Sequence, residues 1–146
     1  MTSPAAAFLD QLAEGVWIED PDLSGMPDDA QIGDCDKLLV WCQILADDGL
    51  PPYTHAVNYL RDGIWEFKIG AKRLSFYDTP GDGSYTPKAK IRDRDEAVND
   101  DEFWWFPDFD PEIRLGFAFP KMGPKALPND IATSFKVREE DLSHDV

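Results

Sequence analysis

The chain is poor in the residues that most often carry catalysis, with two histidines and two cysteines among 146 residues. It has no CxxC pair, zinc-ligand spacing, glycine-rich phosphate loop, Ser/His/Asp pattern or heptad seam. Those absences exclude the enzymes and coiled coils that such motifs define, and no cofactor or metal is expected. Cys35 and Cys42 fall seven residues apart in a helical pattern. They share a face but stand about two turns apart, beyond the reach of a disulfide, and are expected as reduced core thiols. His55 precedes the first core strand and His144 lies in the C-terminal tail, so neither suits a general base. No apolar run approaches the roughly 18 residues of a membrane span. Met1 to Ala7 carry no positive charge of the kind that opens a secretory leader. A cytoplasmic chain with no membrane partner is the expectation.

Positive charge is scarce too, with 14 Lys and Arg against 29 Asp and Glu and a net charge of −15. Such a chain cannot bind nucleic acid indiscriminately, because neutralising phosphates needs a positive surface, and no direct DNA binding is expected. The charge is unevenly placed. Residues 1–60 hold eleven acids and the single base Lys37, whereas 61–94 hold eight bases against five acids and 114–138 five bases against one acid. Between the two basic segments, residues 95–112 hold eight acids and no base. Two basic segments are thus embedded in an acidic chain.

With 42% apolar and 12% aromatic residues, a chain of this length supports one hydrophobic core, so residues 1–146 are expected to form a single domain. Ser3 and Pro4 suit an N-cap and first helical residue, and Gly15 closes that helix. Val16-Trp17-Ile18 has the makings of a brief strand. Asp28 or Asp29 caps a second helix, in which Ile32, Cys35, Leu38, Leu39, Cys42 and Leu45 recur at helical spacing until Gly49 and Pro51-Pro52. A short element at His55 to Leu60 leads to the turn Asp62-Gly63. Ile64 to Ile69 and Lys72 to Tyr77 then read as an antiparallel strand pair. Residues 78–112, rich in Pro, Gly and Asp, read as loops with room for one extra hairpin. Ile113 to Phe119 reads as a further core strand, and Pro128 opens a last helix through Ile131, Phe135 and Leu142.

This order of elements, and two stretches within it, carry a family resemblance. Leu60-Arg61-Asp62-Gly63-Ile64-Trp65-Glu66-Phe67-Lys68 and Arg73-Leu74-Ser75-Phe76-Tyr77 resemble the "L-x-D-G-L-Y-E-L-R" and "R-V-L-Y-F" of RelE/ParE-superfamily toxins, especially the phage-associated HigB-like branch. Phe119, Lys121, Lys125, Pro128, Asp130 and Ile131 follow the family's closing order of strand-end Phe, spaced lysines and a Pro-led helix. The likeness covers roughly residues 30–77 and 113–142. Lys68 stands where the family usually has Arg. The long stretch 78–112 replaces a short connection and makes an acidic aromatic insertion.

The resemblance implies an α+β, RelE-like fold in which N-terminal helices pack on a small, twisted, mostly antiparallel sheet with a C-terminal helix. It implies a ribosome-dependent endoribonuclease that inhibits translation by cleaving mRNA, with an antitoxin of helix-turn-helix type as partner. Such chemistry brings a 2′-hydroxyl into line with the adjacent phosphate and neutralises the charge that develops there. Lys68, Lys72, Arg73, Lys121 and Lys125 are the candidates for that work by position. Glu66 follows a family-like acid but also has an ion-pair role open to it with Lys68. Tyr77 suits either RNA contact or packing.

A rival reading keeps the fold without the nuclease. Phe103, Trp104, Trp105, Phe106, Asp108 and Asp110 combine rings with carboxylates and suit an anchor for a host or partner protein in a phage or mobile-element setting. Equally open is an added strand that lays these rings over the sheet. The two functional readings differ in charge topology: an acidic segment folded over the basic face would bar RNA from it.

Overall fold

The computed structural model describes residues 3–99, 101–121 and 128–145. It is an α+β arrangement of three helices and a four-stranded antiparallel sheet. The order is α1 (Pro4–Glu14), α2 (Asp29–Asp48), β1 (Val57–Arg61), β2 (Ile64–Ile69), β3 (Lys72–Thr79), β4 (Glu112–Pro120) and α3 (Pro128–Ser143). The strands form a simple meander, β1-β2-β3-β4.

Local chemistry sets most boundaries. The Ser3 hydroxyl accepts from Ala6 N to start α1, and Asp28 Oδ1 accepts from Ala30 N to start α2. Gly15 and Gly49 end the two helices in the left-handed conformation. The β1–β2 hairpin closes on Asp62-Gly63, both at positive φ, the geometry that a two-residue turn needs to match strand twist. Gly63 is doubly required, because a Cβ there would collide with the Tyr85 hydroxyl.

Two expectations are corrected. Val16 to Ile18 is a loop, not a strand, because the Gln31 side chain serves its backbone. The Gln31 amide donates to Trp17 O and its carbonyl accepts from Trp17 N, each at 2.9 Å. The stretch 78–112 forms no extra hairpin among its described residues. Its described residues hold two single-turn 3-10 helices, Arg94–Glu96 and Asp101–Phe103, amid irregular chain with bends and a turn.

The pleat sorts side chains onto two faces. One face presents Val57, Trp65, Phe67, Ile69, Leu74, Phe76 and Ala118 to Ala5, Phe8 and Leu12 of α1 and to Cys35, Leu38 and Leu45 of α2. Both cysteines are free thiols, and burial pushes Cys42 up to about 12. On the opposite face α3 packs Leu142 and Phe135 against Ile64, Tyr77 and Tyr85. Arg114 of β4 ties down its end by donating to Asp141 and Asp145 at 3.1 and 2.7 Å. That cation serves a helix whose last turn has no basic residue of its own.

Candidate functional site

The part of the sheet nearest the β2–β3 turn gathers the charged residues of the second face. Lys68 pairs with Arg73 and Glu66 with Ser75 across β2 and β3, so all four side chains project from the same side. Beyond β3, Phe119 pairs with Arg73. Lys121 N donates to Ala71 O at 2.7 Å, which carries the pairing past the end of β4.

Glu66 is the centre of this group. It is 3% exposed, and its Oε2 has no hydrogen-bond partner among the described residues. The Arg73 Nε stands 3.6 Å from that oxygen, an ion pair too long for a good hydrogen bond. Burial pushes the Glu66 carboxyl up to about 7, against the downward pull of Arg73, Lys68 and Lys121. A carboxyl so placed exchanges a proton near neutral pH and retains acceptor capacity. Burial also lowers Lys68, and the Arg73 charge beside it adds to that. Arg73 is anchored rather than free, since its Nη1 donates to Gly70 O and Lys72 O, each at 2.9 Å. Lys68 makes no ion pair among the described residues, and Lys121 is exposed.

Lys72 does not join them. It precedes Arg73 on the strand and therefore points to the helix-covered face, 4% exposed. Its ammonium lies 2.8 Å from Asp34 Oδ2 and 3.2 Å from Asp20 Oδ2. Burial works against its charge, but these two carboxylates prevail and raise its pKa, so Lys72 is a permanent cation that clasps α2 and the α1–α2 loop to the sheet. Lys125 lies outside the described residues. Tyr77 is a packing residue here: it is 1% exposed and its hydroxyl donates to Asp141. Of the histidines, His55 stacks on Tyr53 at the surface and His144 follows α3, both on other parts of the chain from Glu66.

The acidic aromatic segment lies on the opposite side from Glu66. Phe106 is fully buried and its ring stacks on Trp65 at 5.7 Å. Trp105 stacks on Trp65 as well, and Phe109 meets Trp65 and Phe76 edge-on. Phe103 packs against the same apolar cluster. Trp104 takes Arg94 over its ring at 6.0 Å. Lys88 fastens the segment by reaching Asp78 and Asp110, each at 3.4 Å, and by donating to Asp108 O. The rings complete the core without forming a strand, and the carboxylates of Asp101, Glu102 and Asp108 remain exposed. An open depression of about 570 Å³ lined by Leu50, Val98, Asn99, Asp101, Glu102 and Phe103 borders the segment, apart from the Glu66 group.

Among the described residues no cluster of His, Cys, Asp and Glu suits a metal ion, and no helix is long and apolar enough to cross a membrane. Glu66 lies at the centre of this group although it was not among the residues expected to act. Its signal was there in the alternation of Glu66 and Lys68 on one strand face. Comparison with protein-family models, with curated proteins and with solved structures found no match to this chain.

Proposed function

We propose that this chain is a HigB/RelE-like toxin, with a sheet of RelE type, that inhibits translation by cleaving ribosome-bound mRNA and is restrained by an antitoxin protein. One observation carries the reading: a buried carboxyl with a proton affinity near neutrality sits among Arg73, Lys68 and Lys121, on the sheet face opposite the packed rings of Phe103, Trp105, Phe106 and Phe109. A base that exchanges a proton near neutral pH beside fixed cations suits the attack of a 2′-hydroxyl on the adjacent phosphate.

In the reaction, the Glu66 carboxylate takes the proton of a 2′-hydroxyl, whose oxygen then bonds to the adjacent phosphorus. The bond from phosphorus to the next 5′-oxygen breaks, and that oxygen takes a proton from Lys121. The products are a 2′,3′-cyclic phosphate and a free 5′-hydroxyl. Arg73, held by two carbonyls, offers a fixed charge to the phosphorane. Lys68, which no ion pair holds among the described residues, is the side chain that swings aside to admit the backbone to the buried carboxyl.

The inward packing of Phe106, Trp105 and Phe109 speaks against the rival protein-anchor reading, because rings committed to Trp65 and Phe76 are not available to a partner. The test is mRNA integrity in a bacterial cell-free translation extract. Wild type is expected to cut mRNA to 2′,3′-cyclic ends, and Glu66→Gln to cut it about 10²–10³-fold more slowly, the usual worth of a general base. An extract in which wild type leaves mRNA intact overturns the proposal.

A further inference from the structure

Beside the bulge in β4, the Phe117 ring stands outside both apolar clusters. Phe117 is half-buried and belongs to neither among the described residues. It lies two residues before Phe119, the partner of Arg73, and so projects from the Glu66 face. Its ring stacks on Phe119 at 6.2 Å with 26° between the planes, and Phe119 is 2% exposed. Phe117 therefore has firm backing on one side and some access on the other.

The surrounding backbone fixes this placement. Between the pairs Leu74–Ala118 and Phe76–Leu115, the two residues Gly116 and Phe117 stand opposite the single residue Ser75. Ser75 Oγ accepts from Phe117 N at 2.8 Å, and a Cβ on Gly116 would lie 2.6 Å from the same oxygen. Across the sheet the row runs Glu66, Ser75, Phe117, beside the row Lys68, Arg73, Phe119. Two strand spacings, about 10 Å, separate Glu66 from Phe117. Cations and a carboxyl thus stand at one end of a short track and a backed aromatic face at the other.

We infer that Phe117 stacks on an unpaired nucleobase beside the scissile phosphate, which gives the site a preference for the larger purine face. This rests on the RNA-cleaving reading above. A base in a duplex already spends both faces on its neighbours, whereas an unpaired base offers one to an aromatic side chain. Stacking accepts every base and grades them by overlap, so it yields a preference without hydrogen-bonded readout.

The experiment maps cleavage ends by primer extension in the same translation extract with wild type, Phe117→Tyr, Phe117→Leu and Phe117→Ala. Circular dichroism and thermal unfolding of each variant report on folding. Phe117→Tyr is expected to keep the rate and the base preference. Phe117→Leu, which fills similar space without a π face, is expected to lose about tenfold in kcat/KM, chiefly through KM, and to flatten the preference. Phe117→Ala is expected to do the same. If Phe117→Leu cuts with wild-type rate and preference, stacking is overturned while the nuclease reading stands. Loss of activity in folded Phe117→Tyr equal to that in Phe117→Leu overturns it too, by showing a packing role. If wild type cuts no mRNA, the nuclease reading falls and this inference falls with it.

Discussion

At the scale of single residues, Glu66 and Lys72 show how burial and partners decide the role of a charge. Lys72 meets two carboxylates within 3.2 Å and is held charged. Glu66 meets one guanidinium at 3.6 Å, and desolvation prevails. The sign of the linkage follows from that. The Glu66 carboxyl binds its proton more tightly folded, at about 7, than at its ordinary 4.5. Its contribution to stability is therefore greatest below pH 4.5 and is lost as pH rises to 7. Glu66→Gln removes this loss, so the variant is expected to exceed wild type in urea-denaturation stability at pH 8 by about 2–3 kcal/mol. The difference should shrink toward zero at pH 4.5. A constant difference across that range would show that Glu66 does not change its proton affinity on folding. Both roles were partly legible in advance. A hairpin that turns on Gly70-Ala71 pairs Lys68 with Arg73, and the pleat then sends Lys72 to the other side. Ranking cations by family position, without that register, placed Lys72 and Arg73 together. The partners of Lys72 come from 38 and 52 residues earlier in the chain, at Asp34 and Asp20, and nothing local announces them.

At the scale of elements, the helices and the β2–β3 pair were legible because their signals are local: caps, Asp62-Gly63, and alternation from Ile64 to Ile69. The departures come from tertiary partners. Trp17 satisfies its backbone with a glutamine side chain instead of a neighbouring strand, and the bulge at Gly116 depends on the hydroxyl of Ser75 one strand away. That bulge makes its own prediction. Gly116→Ala puts a methyl group 2.6 Å from Ser75 Oγ, and an overpacked site of this kind costs roughly 1–3 kcal/mol. Combining it with Ser75→Gly should recover part of the loss, giving a double-mutant cycle in thermal or chemical unfolding with a clear coupling. Strict additivity would mean that the two positions do not press on each other. The same substitution is expected to turn the Phe117 ring from its backing, so cleavage should fall along with stability.

At the scale of the whole molecule, a net charge of −15 sits on a chain whose internal cations are nearly all engaged. Self-repulsion acts between exposed carboxylates and is screened by salt, whereas the pairs of Lys72 and Lys88 are sheltered. Raising NaCl from 10 to 150 mM shortens the screening length from about 30 to about 8 Å. The expected result is a rise in unfolding midpoint of about 3 °C, equivalent to roughly 1 kcal/mol for a chain of this size. A fall in midpoint would show that exposed ion pairs outweigh the repulsion. The charge map was fully legible in the sequence. What it concealed was that the acidic segment and the basic group occupy opposite sides of one sheet, a fact set by where Trp65 points.

The ring of Trp65 has one further consequence, an optical one. It lies stacked with Trp105 at 5.9 Å and 17° between planes, so two indoles from distant parts of the chain are held close and in fixed orientation. Two chromophores held this way couple their transitions, and the pair is expected to give a bisignate band in the indole circular dichroism that Trp105→Phe abolishes. Each docked insertion then carries its own optical signal, superimposed on the helical bands and isolated as the difference between wild type and Trp105→Phe, and an undocking that precedes unfolding would be seen as the loss of that signal while the helical one persists.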